Sequence, residues 1–171
     1  MAHSPKIMSN YLCAPLSPRR LNKFLKKAKE VLKPVEFDAI AFRGMSGALV
    51  APLLAHKLNK TLIMVRKDSD NSHAMRMVEG DMNAKRYLIL DDFLASGETV
   101  RTIVRAAYGF TDGEAQCVGV MLYYHHINSN DSLIVDTLCV TGTYPDGALK
   151  FDPSKVFVPL QVELKFTSYA P

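Results

Sequence analysis

The chain has 171 residues, of which 48% are hydrophobic and 22% are charged, and its formal net charge is +4. These proportions exclude a fibrous repeat and a low-complexity chain, and no apolar run is long enough to cross a bilayer. The three cysteines, Cys13, Cys117 and Cys139, match neither a disulfide nor a zinc spacing. Because the N-terminus also lacks the apolar run of a secretory signal, we expect a cytoplasmic protein. The length favours a single domain over residues 1–171.

The first predicted element is an amphipathic helix from Pro18 to Leu32. Ser17 and Pro18 form a helix-start pair, with a capping hydroxyl followed by proline at the first helical position. Apolar residues recur at three-and-four spacing, and the other face is basic: Arg19, Arg20, Lys23, Lys26, Lys27 and Lys29. A charge run is usually a solvated face, and no aromatic residue is interleaved on it, so nucleic-acid binding is disfavoured.

Short apolar runs from Phe37 onward predict buried strands. They are FDAIAF, TLIMV, YLIL, CVGVMLYY and SLIVDTLCV, and the helical patterns GALVAPLLAHKL and GETVRTIVRAAYGF lie between them. This alternation predicts an α/β fold with a parallel sheet wrapped by helices, in which ligands bind beyond the carboxyl ends of the strands. The C-terminal VFVPLQVELKF predicts one or two strands, which Pro159 confines to a sheet edge.

The segment YLILDDFLASGETV, residues 87–100, carries the clearest chemical pattern. Asp91 and Asp92 follow a strand, where they can accept hydrogen bonds from sugar hydroxyls or orient Mg²⁺. The loop after them offers backbone N–H groups, two hydroxyls and a helix N-terminus, a cradle for a phosphomonoester. The cradle residues are Ala95, Ser96, Gly97, Glu98 and Thr99.

This segment resembles the phosphoribosyl pyrophosphate signature of the type I phosphoribosyltransferases. DAIAFRGMSGALV resembles the pyrophosphate loop of that family, with a turn at Arg43, Gly44, Met45 and Ser46 and a helix that starts at Gly47. TLIMVRK ends in Arg66 and Lys67, similar to the basic pair that meets the pyrophosphate. The resemblance covers about residues 37–120.

The polar stretch DSDNSHAMRMVEG after Lys67 contains no predicted strand. The resemblance implies that it is a lid over the active site. The residues assigned to this lid are Ser69, Asp70, Asn71, Ser72, His73 and Glu79. The sequence Val78, Glu79 and Gly80 resembles the return of the loop in orotate-type members.

The resemblance implies a Rossmann-like core at about residues 35–140, with the N-terminal helix and the C-terminal strands as a small hood. It implies transfer of ribose 5-phosphate from phosphoribosyl pyrophosphate to a nucleobase, with Asp91, Asp92, Arg66 and Lys67 as the catalytic residues. It also implies Mg²⁺, held by Asp91 and Asp92 indirectly or through the ribose hydroxyls, and a homodimer. A non-catalytic sensor of phosphoribosyl pyrophosphate or a nucleotide is the alternative.

The nucleobase stays open at this point. Ala95 stands where members that use 6-oxopurines have an aspartate, which disfavours hypoxanthine and guanine and resembles adenine- and xanthine-type members. The lid instead resembles that of orotate-type members. Aromatic candidates for the hood are Tyr11, Tyr144, Phe151 and Phe157. Residues at a strand end that could line the pocket are Tyr123, Tyr124, His125 and His126, and neither histidine is assigned a role.

Overall fold

The computed structural model describes residues 7–9, 12–67, 76–93 and 97–123, together with the backbone of residues 156–157. Three helices and six strands lie in these ranges. In chain order they are α1 (Pro18–Leu32), β1 (Ala39–Arg43), α2 (Gly44–Leu58), β2 (Thr61–Val65), β3 (Val78–Gly80), β4 (Arg86–Asp91), α3 (Glu98–Phe110), β5 (Gln116–Leu122) and β6 (Val156–Phe157).

The strands form one sheet in the order β3-β2-β1-β4-β5-β6. Every pairing is parallel except that of β3, which runs antiparallel to β2. The predicted α/β fold with a largely parallel sheet is therefore confirmed. The chain moves outward from β1 to β2 and later returns to the other side of β1 as β4, so the strand order reverses between β1 and β4. In open α/β sheets, the crevice at such a switch point is where ligands bind.

Alternate residues of the central strands enter two hydrophobic cores, one on each face of the sheet. Ala39 and Ala41 of β1 pack with the buried residues of α3, whereas Ile40 and Phe42 pack with those of α1 and α2. The helices α2 and α3 therefore cover opposite faces, yet both follow the carboxyl end of a parallel strand. Both helix N-termini consequently lie at the edge where the strands end.

The register of the central pair is fixed by Asp38, just before β1. Its Oδ2 accepts hydrogen bonds from the backbone N–H groups of Lys85 (3.0 Å) and Arg86 (2.8 Å). These two hydrogen bonds hold the pKa of Asp38 below its usual value, and the bond from Arg86 has the larger effect. Ala39 accordingly pairs with Tyr87.

Helix α1 has the predicted bounds, with the predicted proline at its first position. The Ser17 side chain makes no capping hydrogen bond, contrary to expectation. The Ser17 carbonyl instead accepts from the N–H of Leu21 at 2.8 Å. The basic residues are exposed, as predicted. The buried residues lie on one face of the helix and are Phe24, Leu25, Ala28 and Leu32.

Helix α2 begins at Gly44, so the predicted helix start at Gly47 and the predicted four-residue turn before it are wrong. Gly44 has a φ of 69°, a left-handed conformation that glycine adopts without steric cost. One residue therefore reverses the chain between β1 and α2. Gly47 is buried, and a Cβ there would lie 2.7 Å from Cβ of Phe42, so the first turn of α2 packs directly on β1.

Strand β3 was not predicted, because only three residues form it and they lack an apolar run. It pairs with the edge of β2, where Met64 faces Glu79. At the other edge β6 pairs with β5, in agreement with the predicted C-terminal edge strand. The predicted strand SLIVDTLCV and Pro159 lie outside the described residues. Within the described ranges, no helix has the length and apolar character needed to span a membrane.

Candidate active site

The parallel strands β1, β2, β4 and β5 all end at one edge of the sheet, and the predicted site residues that the structure describes lie at or next to these ends. Arg43 ends β1, Arg66 follows β2, and Asp91 ends β4. The N-termini of α2 and α3 lie at the same edge. A helix N-terminus presents free N–H groups and the positive end of the helix dipole, both of which favour anions.

The acidic pair at the end of β4 is buried, with Asp91 5% exposed and Asp92 7% exposed. Backbone N–H groups satisfy part of each carboxylate: Asp92 N donates to Asp91 Oδ1 at 3.0 Å, and Phe93 N donates to Asp92 Oδ1 at 2.9 Å. Burial, and after it the charge of Asp92, raise the pKa of Asp91 to about 8, while the charge of Lys67 acts in the opposite direction. Because the two carboxyl groups are buried side by side, the folded protein disfavours the state in which both are ionised.

Lys67 lies over the β1–α2 junction. A Cβ on Gly44 would come within 2.6 Å of its Cε and 3.3 Å of its Nζ, so the missing side chain at Gly44 makes room for the lysine. Because the charge of Lys67 also lowers the pKa of Asp91, its amine acts on the acidic pair as well as on the junction. The structure thus brings together three segments that the sequence assigned to one site.

The two arginines are tied to their neighbours. Arg43 Nε donates to the carbonyl oxygen of Arg66 at 3.3 Å, and Arg66 Nη2 donates to Glu79 at 2.9 Å. Arg66 Nε is buried and has no hydrogen-bond partner in the described part of the chain. Glu79, predicted to belong to the lid, lies in the edge strand β3 instead.

The phosphate cradle is described from Gly97 onward. Gly97 is the N-cap of α3 with a φ of 73°, a left-handed conformation that glycine adopts without steric cost. The Glu98 carboxylate pairs with Arg101 Nε at 3.1 Å and with Arg105 Nη1 at 3.8 Å, both further along α3. The Glu98 side chain is thus engaged along the helix, and the place of Glu98 in the phosphate cradle stays a prediction.

Tyr123 is 2% exposed and packs in the core on the α1 and α2 face rather than lining a pocket. Its ring meets Phe24 of α1 edge to face, with 5.9 Å between centroids. Its hydroxyl donates to the carbonyl oxygen of Ser46 at 3.1 Å. The sequence contains no local signal for this contact, because the two residues are 77 positions apart.

Several predicted site residues lie outside the described ranges. They are the cradle residues Ala95 and Ser96, the lid residues Ser69, Asp70, Asn71, Ser72 and His73, the hood candidates Tyr11, Tyr144 and Phe151, and the strand-end residues Tyr124, His125 and His126. Phe157 is described by its backbone alone. Their roles stay predictions.

Among the described residues, no group of three or more histidine, cysteine, aspartate or glutamate side chains could enclose a metal ion. Mg²⁺ does not require such a cage, because it usually binds one or two carboxylates together with waters and substrate phosphates. Two buried, mutually repelling carboxyl groups next to an anion cradle fit that requirement. Asp91 and Asp92 are therefore suited to Mg²⁺ that arrives with a polyphosphate.

No model of a known protein family matches the chain. It is 31% identical over 99 residues to the orotate phosphoribosyltransferase of Pyrobaculum aerophilum, a match that covers 57% of this chain and 51% of that protein. It is also 31% identical over 121 residues to the adenine phosphoribosyltransferase of Ureaplasma parvum, covering 60% of this chain and 70% of that protein. The chain belongs to the type I phosphoribosyltransferase family.

This type I phosphoribosyltransferase chain spans about half the length of its Pyrobaculum relative. Its fold is similar to that of the adenine phosphoribosyltransferase of Saccharomyces cerevisiae, with a TM-score of 0.51 and 22% identity over 66% of this chain and 72% of that one. The relatives carry both orotate and adenine names, in agreement with the mixed features predicted for the subfamily.

Proposed function

We propose that this protein transfers the ribose 5-phosphate group of phosphoribosyl pyrophosphate to a nucleobase, giving a nucleoside monophosphate and pyrophosphate. The observation that carries the proposal is the meeting of Lys67, Gly44 and the buried Asp91 and Asp92 at the switch point of the sheet. On one side of the switch point, Lys67 and the N–H groups at the start of α2 offer a cation and hydrogen-bond donors to a diphosphate. The other offers carboxylates to ribose hydroxyls, and the named activities of the relatives support the same transfer.

In this reaction a ring nitrogen of the base forms a bond to the anomeric carbon, and the bond from that carbon to the pyrophosphate oxygen breaks. The pyrophosphate leaves with the electron pair, so negative charge builds up on it while the ribose becomes cationic. Lys67, with Arg43 and Arg66, would stabilise the departing charge, together with the N–H groups at the start of α2. The N-terminus of α3 would hold the 5-phosphate and so fix the ribose.

Mg²⁺ and the lid complete the proposal. When bound, Mg²⁺ would neutralise part of the diphosphate charge, with Asp91 and Asp92 holding it indirectly or through the ribose hydroxyls. The stretch after Lys67 would close over the site to exclude water, which competes with the base for a cationic ribose. The family resemblance supports a homodimer, and the spacing of the three cysteines, which matches no disulfide pattern, supports a cytoplasmic location.

A pyrophosphate-release screen tests the proposal. The protein would be mixed with Mg²⁺, phosphoribosyl pyrophosphate and one base at a time from adenine, guanine, hypoxanthine, xanthine, uracil and orotate, with a base-free control for hydrolysis. We expect release above the control with adenine or orotate, the bases in the names of the relatives. Saturable binding of phosphoribosyl pyrophosphate without release for any base would instead favour the sensor, which the names of these relatives do not support.

A further inference from the structure

We propose that Tyr123 is a positioning residue for the phosphoribosyl transfer, because it holds the first turn of α2 and the end of β4 at a fixed separation across the switch point. The inference rests on the proposed function. Tyr123 is assigned no contact with the substrate. It acts through the backbone of the two segments that would bind the diphosphate and the ribose.

The contacts of Tyr123 reach both segments. Its backbone N–H donates to the carbonyl oxygen of Asp91 at 3.2 Å, which extends the pairing of β4 with β5 by one residue. Its hydroxyl crosses to α2 and donates to the carbonyl oxygen of Ser46 at 3.1 Å. A single buried residue therefore connects the acidic strand end to the helix start.

The position of Ser46 explains why this bond matters for binding. Ser46 lies in the first turn of α2, where the N–H groups of residues 44–46 have no partner within the helix and can face an anion. The turn follows β1 through the conformationally permissive Gly44 and packs on β1 at Gly47, and the Tyr123 hydroxyl adds a polar attachment from the end of β5. A displacement of about 1 Å in a catalytic group can cost roughly a hundredfold in rate.

The phenol ring is fixed independently of its hydroxyl. Phe24 of α1 packs edge to face on it at an interplanar angle of 67°. Tyr123→Phe therefore removes the bond to Ser46 and leaves the ring packed in place, so the variant separates the hydrogen bond from the hydrophobic core.

The test compares Tyr123→Phe with Thr111→Val by steady-state kinetics and thermal unfolding. Thr111 is also buried, and its Oγ1 donates to the carbonyl of Ala107 (2.9 Å) and accepts from Ala115 N (3.2 Å) at the C-terminal end of α3, away from the site. For Tyr123→Phe we expect the KM for phosphoribosyl pyrophosphate to rise about three- to tenfold, with the KM for the base unchanged. Thr111→Val should lose as much thermal stability and keep both KM values.

Two results would overturn the inference. One is a KM for phosphoribosyl pyrophosphate in Tyr123→Phe that equals the wild-type value. The other is an equal change in Thr111→Val, which would trace the effect to general loss of stability. If the wild-type protein binds phosphoribosyl pyrophosphate without turnover, the transfer fails as a proposal, and calorimetric dissociation constants for that ligand decide the role of Tyr123 by the same comparison.

Discussion

Arg66 at the end of β2 donates a hydrogen bond from Nη2 to a carboxylate oxygen of Glu79 in the edge strand β3, at 2.9 Å. The side chains are 22% and 41% exposed, respectively, so water screens the pair. Ion pairs of this kind contribute about 0 to 1 kcal/mol to stability. A diphosphate carries more charge than one carboxylate, and we infer that it competes with Glu79 for the guanidinium.

The first prediction is that Glu79→Gln lowers the KM for phosphoribosyl pyrophosphate. Loss of the charge frees Arg66, and a competitor worth at most about 1 kcal/mol limits the gain to about fivefold. The matched control is Glu36→Gln, which breaks the Arg86–Glu36 ion pair (2.7 Å). This pair lies near the amino ends of β1 and β4, at the edge of the sheet opposite to the site. A rise in KM for Glu79→Gln would show that Glu79 aligns Arg66 for the substrate rather than competing with it.

The second prediction concerns Gly44→Ala. A methyl group there would lie 2.6 Å from Lys67 Cε, so the end of the lysine must move, and the positive φ of 69° strains any other residue. We expect at least about a tenfold loss of affinity for pyrophosphate, measured by calorimetry. Gly109→Ala is the control, because Gly109 lies at an exposed position of α3 and, apart from its own helix backbone, no atom of the described residues lies within 4 Å of the added methyl group. It should raise stability by up to about 1 kcal/mol and leave affinity unchanged.

The third prediction is a pH dependence of stability. In the folded protein the pKa of Asp91 is raised from 3.8 to about 8, so between these values the folded state binds a proton that the unfolded state has released. The stabilising effect of that proton is lost as the pH rises towards 8, with a slope of up to about 1.4 kcal/mol per pH unit. Urea unfolding from pH 5 to pH 8 should show this decline in the wild-type protein and a flatter profile in Asp91→Asn; parallel profiles would contradict the raised pKa.

The fourth prediction is that Asp92→Asn lowers turnover by about a hundredfold or more while the protein stays folded. The substitution removes a carboxylate from the site and also relieves its repulsion of Asp91, so the melting temperature should be kept or should rise. Pyrophosphate release and circular dichroism measure the two effects. Asp112→Asn, at an exposed position with a φ of 52° that asparagine tolerates well, should leave turnover unchanged.

Residues that act through local pattern were predictable from the sequence. The apolar runs and the small-residue loop placed β1, β2, β4 and β5 correctly, and with them the strand-end positions of Arg66 and Asp91. The start of α2 was not predictable from the sequence, because the conformation of Gly44 depends on how tightly the helix packs on β1. The role of Tyr123 was out of reach as well, since it depends on a contact between distant parts of the chain.

Strands β1 and β4 are neighbours in the sheet, although Asp38 and Arg86, which fix their register, are 48 residues apart in the chain. Closing such a long loop is slow compared with local folding steps. Because the crevice lies between these two strands and the predicted phosphate cradle begins at the start of α3, a growing chain cannot form the complete site before residues 91–99 have emerged and β4 has paired with β1. Ligand capture should therefore mark the completion of folding, and adding phosphoribosyl pyrophosphate during refolding would trap finished molecules without helping earlier intermediates.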